Sequence, residues 1–160
     1  MDFQARLHKA IERGRQERAA RAQEEQKELL NQRELQRLFA GYRLDLSERI
    51  ENALKQLADH FPGFRFEPVV NEQGWGAAIV RDDLEIRGRT RKSYFSRLEM
   101  VVRPLSESRV LELAAKATVR NREVFRRSHY HRLTEVDITS FHETMDLWVL
   151  EFAEAYASES

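Results

Sequence analysis

The chain has 160 residues and a formal net charge of zero, because 27 Lys and Arg balance 27 Asp and Glu. It contains no cysteine, which excludes disulfide bonds, thiolate zinc sites and a cysteine nucleophile. No apolar run approaches the ~20 residues of a membrane helix, and the N-terminus lacks the apolar stretch of a secretory signal. We therefore expect a cytoplasmic protein with one domain and an appendage.

Residues 1–40 predict a charged helical arm. They contain no Pro and one Gly, and the strong helix formers Glu, Gln, Arg, Lys, Ala and Leu dominate. The heptad pattern of a coiled coil fails, since Gly14 and Arg21 occupy the positions that follow Leu7 in that repeat. The large apolar side chains nevertheless predict a surface for self-association or for tethering to a protein partner. These side chains are Phe3, Leu7, Ile11, Leu30, Leu35 and Leu38.

Gly41 is expected to end the arm, and a second helix is expected to follow it. Residues 45–48 (DLSE) match a capping box, in which the first and last side chains satisfy free backbone amides at a helix start. Apolar residues then recur at helical spacing over residues 46–61, and a Pro-Gly pair ends the pattern. The compact domain is thus expected to cover residues 45–160.

Five β-strands are predicted after this helix, because the apolar period changes from 3.6 to 2. The fourth strand is the clearest, since its apolar residues alternate with Glu112, Lys116 and Thr118. Short turns join the strands, which favours antiparallel pairing of consecutive strands in a meander. The predicted strands cover residues 64–70, 75–81, 93–103, 111–119 and 123–132. An alternative for the second strand is that it continues through residues 84–86 past an irregularity at residues 82–83.

Residues 140–143 (SFHE) form a second capping box and open a final helix. Phe141, Met145 and Phe152 belong to one broad apolar stripe, which suits packing on a sheet. The predicted fold is therefore α+β. It is a two-layer domain with a five-stranded antiparallel meander covered on one face by two helices, preceded by a long N-terminal helical arm.

Charge is sorted along the chain. Residues 81–132 hold 14 Lys and Arg against 7 Asp and Glu, a net charge of +7, whereas residues 133–160 hold 7 Asp and Glu and no Lys or Arg. Alternate turns of a meander lie at the same end of the sheet, so the turns after the second and fourth strands should bring two basic clusters together. The predicted anion-binding residues are Arg87, Arg89, Arg91, Lys92, Arg120, Arg122, Arg126 and Arg127.

These features predict a non-catalytic interaction or adaptor module, which presents a basic pole to an anionic or acidic partner and uses its arm for tethering or self-association. Arginine forks match the geometry of phosphates and carboxylates. One alternative is a nucleic-acid-binding protein, in which aromatic residues near the basic turns stack on unpaired bases. A further alternative is a small-ligand-binding or enzymatic α+β domain with its ligand in a helix–sheet groove. No membrane partner is expected.

His129 and His131 are the residues that most resemble a metal site. Two histidines separated by one residue on a strand place both imidazoles on one face, and His142 or Asp137 would complete the ligand set. The alternative is a pair of exposed or hydrogen-bonded histidines near a basic turn, partly charged below pH ~6.5. We predict no catalytic residue, metal ligand or cofactor, since no phosphate loop, dinucleotide fingerprint or nucleophile elbow occurs in full.

Overall fold

The computed structural model of the protein describes residues 2–159. No helix within those residues combines the length and the apolar character of a membrane-spanning segment. A 3₁₀ turn, Leu133–Glu135, precedes the last helix. The helices are α1 (Phe3–His60) and α2 (Ile138–Glu159), and the strands are β1 (Arg65–Asn71), β2 (Gly74–Arg87), β3 (Thr90–Val102), β4 (Val110–Val119) and β5 (Arg122–Arg132).

The predicted α+β fold is confirmed. The five strands pair antiparallel in the order β1-β2-β3-β4-β5, and they are accompanied by two helices, the first of which begins with the long N-terminal segment. Residues in register on neighbouring strands point to the same face of a sheet. The strand order therefore also determines which side chains share a face.

The predicted helix boundary at Gly41 is wrong, because α1 continues through this residue. A glycine inside a helix costs about 1 kcal/mol relative to alanine, and the packing of an amphipathic face offsets that amount. Ile50 and Leu54 supply such packing, since both are fully buried. Asp45 consequently caps no helix, and its Oδ1 lies 2.6 Å from Nε2 of His142 instead.

The chain divides into two units, Met1–Arg37 and Leu38–Ser160, whose boundary lies within α1. In the first unit every described residue is exposed except the half-buried Leu35. All the buried side chains of the described residues belong to the second unit. The hydrophobic core is therefore a property of the second unit.

The core lies between the helices and one face of the sheet, which we call the covered face. Alternate residues of the central strands point to it, and Leu98, Met100 and Leu113 are fully buried there. From α2, Phe141 and Phe152 are also fully buried. Each such side chain stabilises the fold by about 1.5–3 kcal/mol relative to exposure. This packing holds α2 against the sheet.

The other face of the sheet carries a row of small and apolar residues that crosses all five strands. Register pairs link Val69, Gly76, Val101, Ala114 and Ser128 in that row. Val69 and Val101 are buried. A cleft of about 520 Å³ lies on this face, lined by charged side chains around Val101 and Ala114.

The sheet has an irregularity in β5. The register with β4 shifts between Ala117 and Thr118, which leaves Val124 without a register partner. The irregularity predicted at residues 82–83 does not occur, because β2 and β3 pair there in unbroken register. The bulge in β5 determines which of its side chains face the core: Phe125, opposite Ala117, is buried.

Candidate anion-binding end of the sheet

The β2–β3 hairpin extends beyond the strands on either side of it. β1 pairs with β2 only as far as Val80, and β4 pairs with β3 only from Arg97, so residues 81–96 lie beyond the register pairs of both neighbouring strands. The hairpin turns at Gly88, whose φ of 59° lies in the left-handed region that glycine adopts without strain. The basic residues of this turn therefore stand on a projecting tip.

The β4–β5 turn packs against β3. Arg120 and Asn121 have φ values of 47° and 71°, which are typical of the two-residue turn that suits twisted strands. The backbone N–H of Asn121 donates to the carbonyl oxygen of Phe95 at 2.8 Å, and the N–H of Phe95 donates to Oδ1 of Asn121 at 2.8 Å. Nδ2 of Asn121 donates to the carbonyl oxygen of Ser93 at 3.0 Å. The two basic turns thus lie at the same end of the sheet.

Arg120 is held by contacts within the domain. Its backbone N–H donates to Oγ of the buried Ser96 at 2.9 Å, and its guanidinium carbon lies 4.1 Å from the centroid of the Tyr94 ring. Its Nη2 lies 3.7 Å from Oε2 of Glu85, whose other oxygen lies 2.7 Å from Nε of Arg87. One carboxylate therefore offsets part of the charge of two predicted anion-binding residues.

Arg126 and Arg127 lie further along β5, on opposite faces of the sheet. Arg127 is on the covered face, where its two terminal nitrogens bind the carboxylate of Glu151 on α2, with Nη2 2.9 Å from Oε1. Arg126 is on the other face, in register with Lys116 and beside the cleft. The structure therefore separates these two residues from the basic turns.

Five predicted cations at this end of the sheet are exposed, namely Arg87, which is paired with Glu85, and four others. Within residues 2–159 none of the four forms an ion pair with a carboxylate, although Nζ of Lys92 lies 5.1 Å from the centroid of the Tyr94 ring. Unbalanced charges at one end of a molecule create a positive potential that attracts anions. We call these four residues the tip cations: Arg89, Arg91, Lys92 and Arg122.

An exposed apolar surface adjoins the tip cations, and sequence reasoning reveals its aromatic residue Phe95 but not its aliphatic residues. Leu84 and Ile86 are 61% and 60% exposed, on the side of the hairpin opposite to the covered face. Phe95 is 38% exposed and shares this side, because it is in register with Asp82. Alternation at Leu84 and Ile86 indicates a strand, but their exposure depends on where the neighbouring strands end.

His129 and His131 connect β5 to the start of α2. Nε2 of His129 lies 3.0 Å from Oγ of Ser140, and both imidazole rings pack edge-on against Phe141, with centroids 4.6 and 5.0 Å away. The N–H of Asp137 donates to Nδ1 of His131 at 3.3 Å. Burial lowers the pKa of His129, and the neighbouring His131 lowers it further. In the described part of the chain no three potential ligands are grouped closely enough to hold a metal ion.

The apolar residues predicted for self-association do not form a single stripe. Phe3, Leu7 and Ile11 share one face of α1 and are 77%, 46% and 47% exposed. Leu30 is turned about 100° from Ile11, because successive residues of a helix are about 100° apart. The other two predicted residues are the half-buried Leu35 in the first unit and the exposed Leu38 in the second.

Comparisons with known protein families, with curated proteins and with solved structures find no match to this chain. The function is therefore inferred from the residues and from their geometry.

Proposed function

We propose that this protein is a non-catalytic interaction module that binds an anionic partner through the tip cations. The observation that supports this most strongly is the packing of Asn121 on β3, because it holds Arg122 beside the hairpin that carries Arg89 and Arg91. Ser93, which Asn121 contacts, is four residues from Arg89, about 13 Å along an extended strand. A surface of this length suits several carboxylates or phosphates of one extended polymer.

An acidic protein segment fits this surface best. Arginine binds carboxylates in a two-pronged geometry, and Lys92 adds a further charge. Leu84 and Ile86 place exposed aliphatic surface beside these charges. Aliphatic side chains gain from burial against apolar residues of another protein, whereas bases favour aromatic platforms. A segment in which acidic and apolar residues alternate would contact both surfaces.

Single-stranded nucleic acid is the second candidate, and Phe95 is the observation that supports it. Its ring is 38% exposed beside the tip cations, and an exposed ring can stack on an unpaired base. The neighbouring Tyr94 is less suitable, because the guanidinium of Arg120 already lies over its ring.

Fluorescence anisotropy with the full chain separates these candidates. A labelled peptide of alternating Glu and Leu and a labelled single-stranded oligonucleotide are each titrated at about 50 mM and about 200 mM salt. Tighter binding of the peptide, unchanged by Phe95→Leu, would support the acidic partner. Tighter binding of the oligonucleotide, weakened about fivefold or more by Phe95→Leu and about hundredfold by the higher salt, would support nucleic acid. Binding of neither probe would overturn the proposal.

We infer a second role for the arm, which is tethering or self-association. Phe3, Leu7 and Ile11 support it, because large apolar side chains exposed along one helix face are typical of a surface that binds another element. This role is independent of the tip cations, which belong to the second unit.

A further inference from the structure

A groove runs between α1 and α2 on the outer side of the second unit. It has a volume of about 880 Å³, and its apolar lining includes Leu57, Phe61 and Val149. Leu150 also lines the groove and is 64% exposed, and the nearby Leu147 is 65% exposed. Side chains of this size and exposure offer an apolar surface to a partner.

The groove is acidic. A smaller hollow continues it along α1, and together they are lined by Asp45, Glu48, Asp146 and Glu154, with Arg49 as the basic residue. His60 and His142 also line this surface. With both counted as neutral, four carboxylates and one guanidinium give a net charge of −3. Arg49 is already paired with Asp146, with Nη2 2.9 Å from Oδ2. A partner that fits this groove therefore carries positive charge.

The length of the groove suits a helix. The groove and its continuation follow α1 from residue 45 to residue 61, which is about 24 Å at a rise of 1.5 Å per residue. This length accommodates about sixteen helical residues. An amphipathic helix binds such a groove through apolar residues one turn apart.

The N-terminal end of this chain is a helix of that kind. Phe3, Leu7 and Ile11 are four residues apart and exposed. Residues 3–13 hold three Lys and Arg against one Glu, so their net charge is +2. Three basic residues adjoin the apolar face: Arg6, Lys9 and Arg13.

We propose that residues 3–13 of a second copy of the chain bind in the groove between α1 and α2. The apolar face of the arm covers the exposed Leu150 of the groove, and the net positive charge of the arm faces the net negative charge of the groove. The inference rests on the proposed self-association of the arm, for which it names the receptor surface. It does not involve the tip cations, so anion binding and self-association use separate surfaces.

Light scattering measures the mass of the full chain in solution, and it tests this contact when the charges on its two sides are reversed. The wild type is expected to have at least twice the mass of one chain, which is 18.9 kDa. Arg6→Glu with Arg13→Glu, and separately Glu48→Arg with Glu154→Arg, should each return the mass to that of one chain. A chain with all four changes should associate again, because the two signs are exchanged. Leu44→Glu is the control and should keep the wild-type mass, since this leucine is 56% exposed but does not line the groove.

Circular dichroism of each variant verifies that it is folded. A wild type that remains a single chain at the highest soluble concentration would overturn both the inference and the arm's self-association. If the arm changes reduce the mass but the groove changes do not, self-association stands and the groove is the wrong receptor. Titration of the same samples with the anionic probes reports separately on the tip cations.

Discussion

Asn121 and Phe95 are joined across the end of the sheet by a reciprocal pair of hydrogen bonds. Each residue donates its backbone N–H to the other, one to a carbonyl oxygen and one to the side-chain Oδ1, and both distances are 2.8 Å. Phe95 belongs to the projecting hairpin, and Asn121 belongs to the β4–β5 turn. This pair therefore sets the separation of the two basic turns.

Replacing Asn121 should separate the contribution of its side chain from that of its backbone. Asn121→Gly keeps the left-handed conformation and removes two hydrogen bonds of the amide, so the free energy of unfolding should fall by about 1–2 kcal/mol. Asn121→Ala should lower it by about a further 1 kcal/mol, because a φ of 71° strains a residue that has a Cβ. Urea denaturation measures both values. Equal stability of the alanine and glycine variants would show that this conformation is not required.

Two glycine substitutions should have opposite effects. A Cβ on Gly76 would lie 1.9 Å from the carbonyl oxygen of Met100, so Gly76→Ala should lower the free energy of unfolding by about 2–3 kcal/mol. Apart from the adjacent backbone of α1, a Cβ on Gly41 would meet no described atom within 4 Å, so Gly41→Ala should raise it by about 0.5–1 kcal/mol. Denaturant titration of both variants checks the signs. A Gly76→Ala protein as stable as the wild type would argue against this close approach of β2 and β3.

His129 should make the fold less stable as the pH falls below the ordinary histidine pKa of 6.5. Burial and the adjacent His131 lower the pKa of His129 in the folded chain, so the unfolded chain binds more protons in the interval just below 6.5. The contribution of neutral His129 is therefore complete above pH 6.5 and is lost between that pH and its lower folded pKa.

Urea denaturation at about pH 5 and about pH 7.5 measures this effect. His129→Gln should reduce the difference in stability between the two pH values, because it removes the imidazole whose pKa the fold lowers. An identical pH dependence in the wild type and in His129→Gln would exclude this role.

The fold is predictable from the sequence because, over most of the chain, the side chains that pack in the core follow the local apolar pattern. Alternation along β4 places Leu111 and Leu113 on the covered face, and both are fully buried. Short turns then make consecutive strands neighbours. The boundary at Gly41 is not predictable from that residue, since the preference of one glycine is smaller than the packing energy of Ile50 and Leu54.

The candidate site is less predictable, because it depends on contacts between distant parts of the chain. No local pattern indicates that Glu85 on β2 meets Arg120 of the β4–β5 turn and offsets its charge. The projection of the hairpin depends on where β1 and β4 end, and this determines the exposure of Leu84. Which cations stay unpaired is thus a property of the assembled sheet.

The most direct test of the anion-binding end reverses the charge of two tip cations. Arg89→Glu with Arg122→Glu is compared with Arg33→Glu with Arg132→Glu, which makes the same charge change at exposed sites elsewhere. The affinity for whichever anionic probe binds is measured by anisotropy at about 50 mM salt. We expect it to fall more than about tenfold for the first pair and to stay within about twofold of the wild type for the second. Equal affinities for the two double variants would contradict binding at the tip cations.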